Sequence, residues 1–200
     1  MIYMILIIIP FLSWGQTLHL LEKKLEGIKT LKVSFIQKVS YSWYPKPDVS
    51  KGFFYAQRGG KFRIEYEQPE RMTIVSDGND ILVYYPKEKS AIMDRVENNR
   101  SAVVEALFLL SKPLSDVFDQ VGEIKKEANT TLVLKPKIRD DNFYRIYVEL
   151  DDELNIRSVK VEDKDGTTTT VEFLSINKNF SPSEDLFRIK LPTGVKVNRL

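Results

Sequence analysis

Leu18, Leu21, Leu25 and Ile28 recur at spacings of three and four, with Glu22, Lys23, Lys24 and Glu26 between them. Apolar positions at that period line one face of a helix, so the segment predicts an amphipathic helix that weakens near Gly27. From Leu31 the period changes to two. Val33, Phe35, Gln37 and Val39 fall on one face of a strand, and Ser34, Ile36 and Lys38 on the other. The stretch Tyr41–Ser50 holds Pro45, Pro47 and Asp48 and predicts a turn or long hairpin loop. Lys51–Arg58 reads as a strand with Phe53 and Tyr55 on one side, and Gly59-Gly60 turns the chain. Lys61–Glu67 then sets Phe62, Ile64 and Tyr66 against Arg63, Glu65 and Glu67. After Gln68-Pro69-Glu70 the alternation resumes at Met72 and Ile74, and Asp77-Gly78 leads into Ile81–Tyr85, which Pro86 ends. This is an antiparallel meander.

Ala91–Asp94 adds a strand, and helical spacing returns at Val103, Val104, Leu107, Phe108 and Leu110. Ser101 is placed to cap that helix and Ser111-Lys112-Pro113 to end it, with a second short helix over Leu114–Phe118. Strands follow at Thr131–Lys135, Tyr144–Leu150, Ile156–Glu162, Thr168–Leu174 and Leu186–Lys190, the last stopped by Pro192. No repeat or long linker divides the chain. The expected fold is mainly β: a single domain over residues 16–200, one curved antiparallel sheet with helices on one face.

Such a sheet must cover its apolar face. The expected inward row is Phe35, Phe53, Tyr55, Phe62, Ile64, Tyr66, Met72, Ile74, Leu82, Tyr84, Leu134, Ile146, Val148, Val171 and Phe173. Three short helices are little cover for it. Either the sheet curls and fills itself, or it curls part way and leaves an apolar cavity beneath the helices.

Composition removes most chemistry. There is no cysteine, so disulfides, thiolate metal sites, cysteine nucleophiles and cysteine-borne lipid anchors are excluded. His19 is the sole histidine, too few for a histidine-rich metal centre or a Ser-His-Asp triad. Lys and Arg number 30 against 28 Asp and Glu, interspersed, which gives nucleic acid no basic face. Asp77-Gly78 and Asp163-Lys164-Asp165-Gly166 read as turns, since neither has the further carboxylates of an acid protease or a calcium loop. The chain is expected to be a non-enzyme, monomeric, without cofactor or metal.

Residues 1–15 are uncharged, with an apolar run from Ile5 to Leu12 followed by the small residues Ser13 and Gly15. The run is short for a membrane span and suits a cleaved signal peptide, leaving Gln16 first in a soluble exported protein, with a buried N-terminal strand and a membrane anchor as the alternatives.

A set of ordered motifs carries a resemblance. Phe35-Ile36-Gln37-Lys38-Val39, Gly52, Arg58-Gly59-Gly60-Lys61-Phe62-Arg63 and Gln68-Pro69 come first. Val75-Ser76-Asp77-Gly78, Tyr84-Tyr85-Pro86 and Phe187–Val197, with its Pro192-Thr193-Gly194-Val195 turn, follow in order. Together they resemble the LolA family of periplasmic carriers that move lipoproteins to the outer membrane of Gram-negative bacteria. The resemblance implies an incomplete β-barrel of about eleven strands, a helical lid over residues 101–118, and an apolar cavity for acyl chains. On that reading the inward row lines the cavity, Val103, Val104, Leu107 and Leu110 belong to the lid, and Arg58 latches the lid by hydrogen bonds to its backbone carbonyls. The implied partners are acylated lipoproteins, an inner-membrane ATP-driven releasing complex and an outer-membrane receptor. A related carrier or sensor of another lipid or glycolipid, or a non-catalytic interaction module with a filled core, stays open beside it.

Overall fold

The computed structural model describes residues 15–98, 110, 112–137 and 143–200. Helix α1 (Gln16–Glu26) leads into β1 (Thr30–Tyr41), β2 (Tyr44–Gln57), β3 (Lys61–Gln68), β4 (Met72–Ser76), β5 (Asp80–Tyr85) and β6 (Ser90–Arg95). A single 3-10 turn, Val96–Asn98, and the short helix α2 (Leu114–Val117) come next. The chain returns through β7 (Phe118–Lys126), β8 (Asn129–Pro136), β9 (Phe143–Leu150), β10 (Ile156–Asp163) and β11 (Thr168–Lys178), and ends on β12 (Lys196–Arg199).

All twelve strands form one open sheet in the order β12-β6-β5-β4-β3-β2-β1-β11-β10-β9-β8-β7. Strand β1 lies at its middle, between β2 and β11, so the two ends of the meander meet there. Every pairing is antiparallel except that of β12 with β6. Because β7 and β12 are edges with different neighbours, the barrel is incomplete.

The face under the helices carries two apolar clusters. Leu18 and Leu21 of α1, with Leu114 and Val117 of α2, pack on Leu132, Leu134, Ile146, Val148 and Leu150. Ile28, Leu31, Val33, Phe35, Phe54, Ala56, Phe62, Ile64 and Leu110 form the other cluster. Leu25 and Phe173 pack against both and join them. A third cluster lies on the opposite face. Val75, Leu82 and Ala91 pack there with Tyr84 and Met93 under Ile189, Leu191 and Val195 of the C-terminal segment.

The structure departs from the sequence expectations in four elements. Tyr44–Ser50 belongs to β2 and is no loop. Strand β3 reaches β2 only at Lys51, so Pro45 and Pro47 sit on an unpaired edge, where a missing N–H costs no ladder bond. Phe118 starts β7 instead of ending a helix, and β7 is a polar edge strand that alternation did not reveal. Leu186–Lys190 is not a strand. Leu186 N–H donates to Ser183 O and Arg188 N–H to Asp185 O, which curls the segment into turns, and β12 follows it. Among the described residues the strands number twelve, in keeping with the expected count of about eleven.

Candidate functional site

The guanidinium of Arg58, in the turn after β2, reaches three backbone carbonyls. Nη1 donates to Leu110 O at 2.8 Å, and Nη2 to Leu25 O at 2.7 Å and Glu26 O at 2.8 Å. Leu25 and Glu26 end α1, where carbonyls lack helical partners and the dipole is negative, so a cation is stabilised there. Leu110 lies within the segment expected to be the lid, and its side chain is 2% exposed, in the same cluster as Phe35 and Phe62. One side chain thus ties two separate chain segments over the apolar face.

The α1 side of this tie is braced twice more. Arg58 N–H donates to Lys29 O at 3.0 Å. Asn179, after β11, accepts from Lys29 N–H at 2.7 Å and donates from Nδ2 to Gly27 O at 3.2 Å. Asn179 has φ 58°, a left-handed conformation that Asn adopts at lower cost than most residues. Glu22 of α1 accepts from Ser115 N–H at 2.6 Å and so satisfies an orphan donor in the first turn of α2.

The cavity candidates divide by strand register. Directly opposed residues share a face. Phe62, Ile64 and Tyr66 oppose Ser76, Ile74 and Met72, and Ile74 opposes Val83. Phe35, Phe62 and Ile64 are buried, while Tyr66, Met72 and Ile74 are half-buried on the same face. Ile146 and Val148 are buried under α1 and α2.

Four candidates face the other way. Phe54, not Phe53, opposes Val33 and Ile64. Phe53 and Tyr55 stand outside with Lys32, whose Nζ lies 5.3 and 5.5 Å from their ring centroids. Leu82 and Tyr84 oppose Val75 and Thr73 and belong to the cluster under the C-terminal segment, which gives the inner face to Ile81 and Val83. Val103, Val104 and Leu107 lie outside the described residues.

Gly52 explains how the inner aromatic pair forms. It stands between Phe35 on β1 and Tyr66 on β3, each directly opposite it. With no side chain between them, the two rings meet edge to face at 5.6 Å. Tyr66 then donates its hydroxyl to Gln37 Oε1 at 2.9 Å, and burial raises its pKa above the ordinary value. A separate cleft of about 590 Å³ opens beside Lys61, Asp77, Glu184, Arg188 and Lys190. Its charged lining does not suit a hydrocarbon chain.

Residues 26–190 match the family model described as outer membrane lipoprotein carrier protein LolA. The chain belongs to the LolA family. An outer-membrane lipoprotein carrier protein of Methylococcus capsulatus is 26% identical over 200 residues, covering 96% of this chain and 95% of the relative. The protein of that name from Legionella pneumophila strain Paris is 30% identical over 181 residues, covering 90% and 88%. A solved LolA superfamily protein from Nitrosomonas europaea shares the fold at TM-score 0.52 and 9% identity, over 88% of this chain and 98% of its own. LolA-family carriers are periplasmic, soluble and non-catalytic, and the chain is a lipid or lipoprotein carrier of that kind.

Sequence reasoning set Arg58 against backbone carbonyls of the lid but did not name Leu25, Glu26 or Leu110 as the residues that supply them. These acceptors are backbone groups, and only Gly27, just past the end of α1, marked where helix-terminal carbonyls would be. It missed Asn179 altogether.

Proposed function

We propose that this LolA-family chain binds lipoprotein acyl chains on the apolar face between the sheet and its helical cover. It takes them from an inner-membrane ATP-driven releasing complex and yields them to an outer-membrane receptor. The observation that carries this reading is the Arg58 fork, which joins the end of α1 to Leu110 directly above that face. Phe35, Tyr66, Met72, Ile74 and Val83 give the acyl chains an apolar, partly covered wall. Methionine and aromatic side chains adapt to ligands of varied shape. No bond is made or broken. The work of the protein is a competition between lid and cargo for one surface.

The test is loading. Carrier is mixed with membranes that hold the releasing complex and a triacylated lipoprotein, and soluble carrier–lipoprotein complex is collected. Wild type should form it. Leu110→Asp should lower the yield at least tenfold with the far-UV circular dichroism preserved, since a carboxylate would be unpaired among hydrocarbon. Mass spectrometry of material co-purified from native periplasm identifies the cargo, and a glycolipid without lipoprotein there would replace the acyl-lipoprotein reading.

Export is the second part of the proposal. N-terminal sequencing of protein from the native envelope should begin at or beside Gln16, the first residue of α1. Recovery with residues 1–15 attached, in membrane extracts alone, would make the segment an anchor.

A further inference from the structure

Three aromatic rings meet in two successive contacts at the end of the β1–β2 hairpin. Tyr41 and Trp43 lie 5.2 Å apart between ring centroids, and Trp43 and Tyr44 6.1 Å. Trp43 is 76% exposed and Tyr44 48%. Isolated exposed apolar residues need no explanation, but three rings in contact at one tip are a coherent patch. The tip is held in place. Tyr41 pairs with Tyr44 across the turn, Tyr41 donates its hydroxyl to Asp48 Oδ2 at 3.0 Å, and Ser42 Oγ donates to Asp165 O at 3.2 Å. From Tyr44 to Ser50, among the described residues, no strand lies on the far side of β2, so this end of the ribbon stands free along one edge.

We infer that this tip docks on an anionic phospholipid surface. Tyr and Trp are the side chains that favour the boundary of a bilayer, with an apolar body in the acyl margin and a polar tip among headgroups. The charges of the hairpin agree. Asp48 is engaged by Tyr41, and Lys38 by Glu172 at 2.8 Å, whereas Lys46 and Lys51 have no ion pair among the described residues. Lys46, two residues past Tyr44, places a free ammonium beside the aromatic tip. Lys51 adds a second on the same strand, about 23 Å from Tyr44 at ~3.3 Å per residue, and both complement anionic headgroups. The latch lies at the other end of β2, about 45 Å away at ~3.3 Å per residue along its 14 residues. A membrane at the tip therefore leaves Arg58 and its carbonyls unobstructed. Membrane docking goes beyond cargo carriage and does not depend on it.

Trp43 is its own reporter. The chain has two tryptophans, Trp14 and Trp43, so in a Trp14→Phe protein all tryptophan emission comes from the tip, with or without the leader. Vesicles of phosphatidylglycerol and phosphatidylethanolamine should shift that emission to the blue, and brominated acyl chains should quench it. Trp43→Ser should weaken vesicle co-sedimentation about tenfold or more, the effect of losing one large interfacial ring. Lys46→Glu with Lys51→Glu should do the same on anionic vesicles. Far-UV circular dichroism should be unchanged in each, because the tip is outside the core. An unshifted, unquenched Trp43 overturns the inference. So does equal binding to phosphatidylcholine. Impaired cargo transfer by Trp43→Ser with vesicle binding intact would assign the tip to a protein partner instead, while normal loading throughout would leave the carrier reading standing.

Discussion

Arg58→Leu should load lipoprotein at least as well as wild type and hand it to the outer-membrane receptor about ten times more slowly. Only a bond that differs between closed and open states biases the lid. The two bonds to α1 meet a helix end that Asn179 already braces at Gly27 and Lys29, so the bond to Leu110 O is the differential one. A hydrogen bond to a charged donor contributes about 1.5–3 kcal/mol. Arg58 is exposed, so solvent screening brings this to the lower end, about 1.4 kcal/mol or tenfold in an equilibrium constant. A carrier whose open form is the minor one binds cargo more weakly by the open fraction, and removing the latch removes that penalty. Cargo is then held tighter and released more slowly. Arg58→Lys should be milder in release, because it keeps a cation near α1, but one ammonium cannot span both segments as the fork does. Receptor-dependent transfer from a preformed complex, at matched loading, measures this. Equal rates for Arg58→Leu and wild type would leave the lid governed by packing alone.

Gly52→Ala should cost about 3 kcal/mol or more, far beyond an ordinary surface change. A Cβ at Gly52 would stand 2.0 Å from Glu65 O, a backbone atom in the β2–β3 ladder, and 2.9 Å from Glu65 C. No rotamer relieves a backbone clash, so the strands must separate at the register shift between Lys51 and Gly52. At ~2–4 °C per kcal/mol for a chain of this size, the midpoint of thermal unfolding should fall by about 6–12 °C. Thermal scans by circular dichroism read it directly. Cargo loading should also drop, because Phe35 and Tyr66 meet across that glycine. An unchanged midpoint would mean that β2 and β3 are further apart than the ladder indicates.

The sequence was most readable where one face was apolar and the other charged. Lys61–Glu67 alternates without exception, and β3 follows it. Phe53-Phe54-Tyr55 gives three aromatics in succession, so alternation cannot say which faces inward, and the bulge at Gly52 decides for Phe54. Ile81, Leu82, Val83 and Tyr84 are apolar on both faces for a real reason, since β5 is covered on its outer side by the C-terminal segment. That cover comes from residues over a hundred positions away, beyond any local pattern. Strand β7 was hidden by its polarity: an edge strand exposed along Asp119, Val121 and Lys125 need not show an apolar period. Of the Arg58 fork, the donor was legible because it is a side chain in a motif. Its acceptors are carbonyls, which every residue has.

The C-terminal segment has a consequence for how the protein behaves when it opens. Strands β4 and β5 supply Met72, Ile74 and Val83 to the inner face, the one proposed to hold cargo, yet Val75, Leu82 and Ala91 are packed on the reverse side under Ile189, Leu191 and Val195. This wall is therefore held from behind. Its amides should exchange with solvent slowly and at the same rate whether the carrier is loaded or not, while those of α1 and α2 respond to cargo. Deleting residues 189–200 should transfer that sensitivity to the wall itself, turning a passive surface into one that needs its lipid to remain folded.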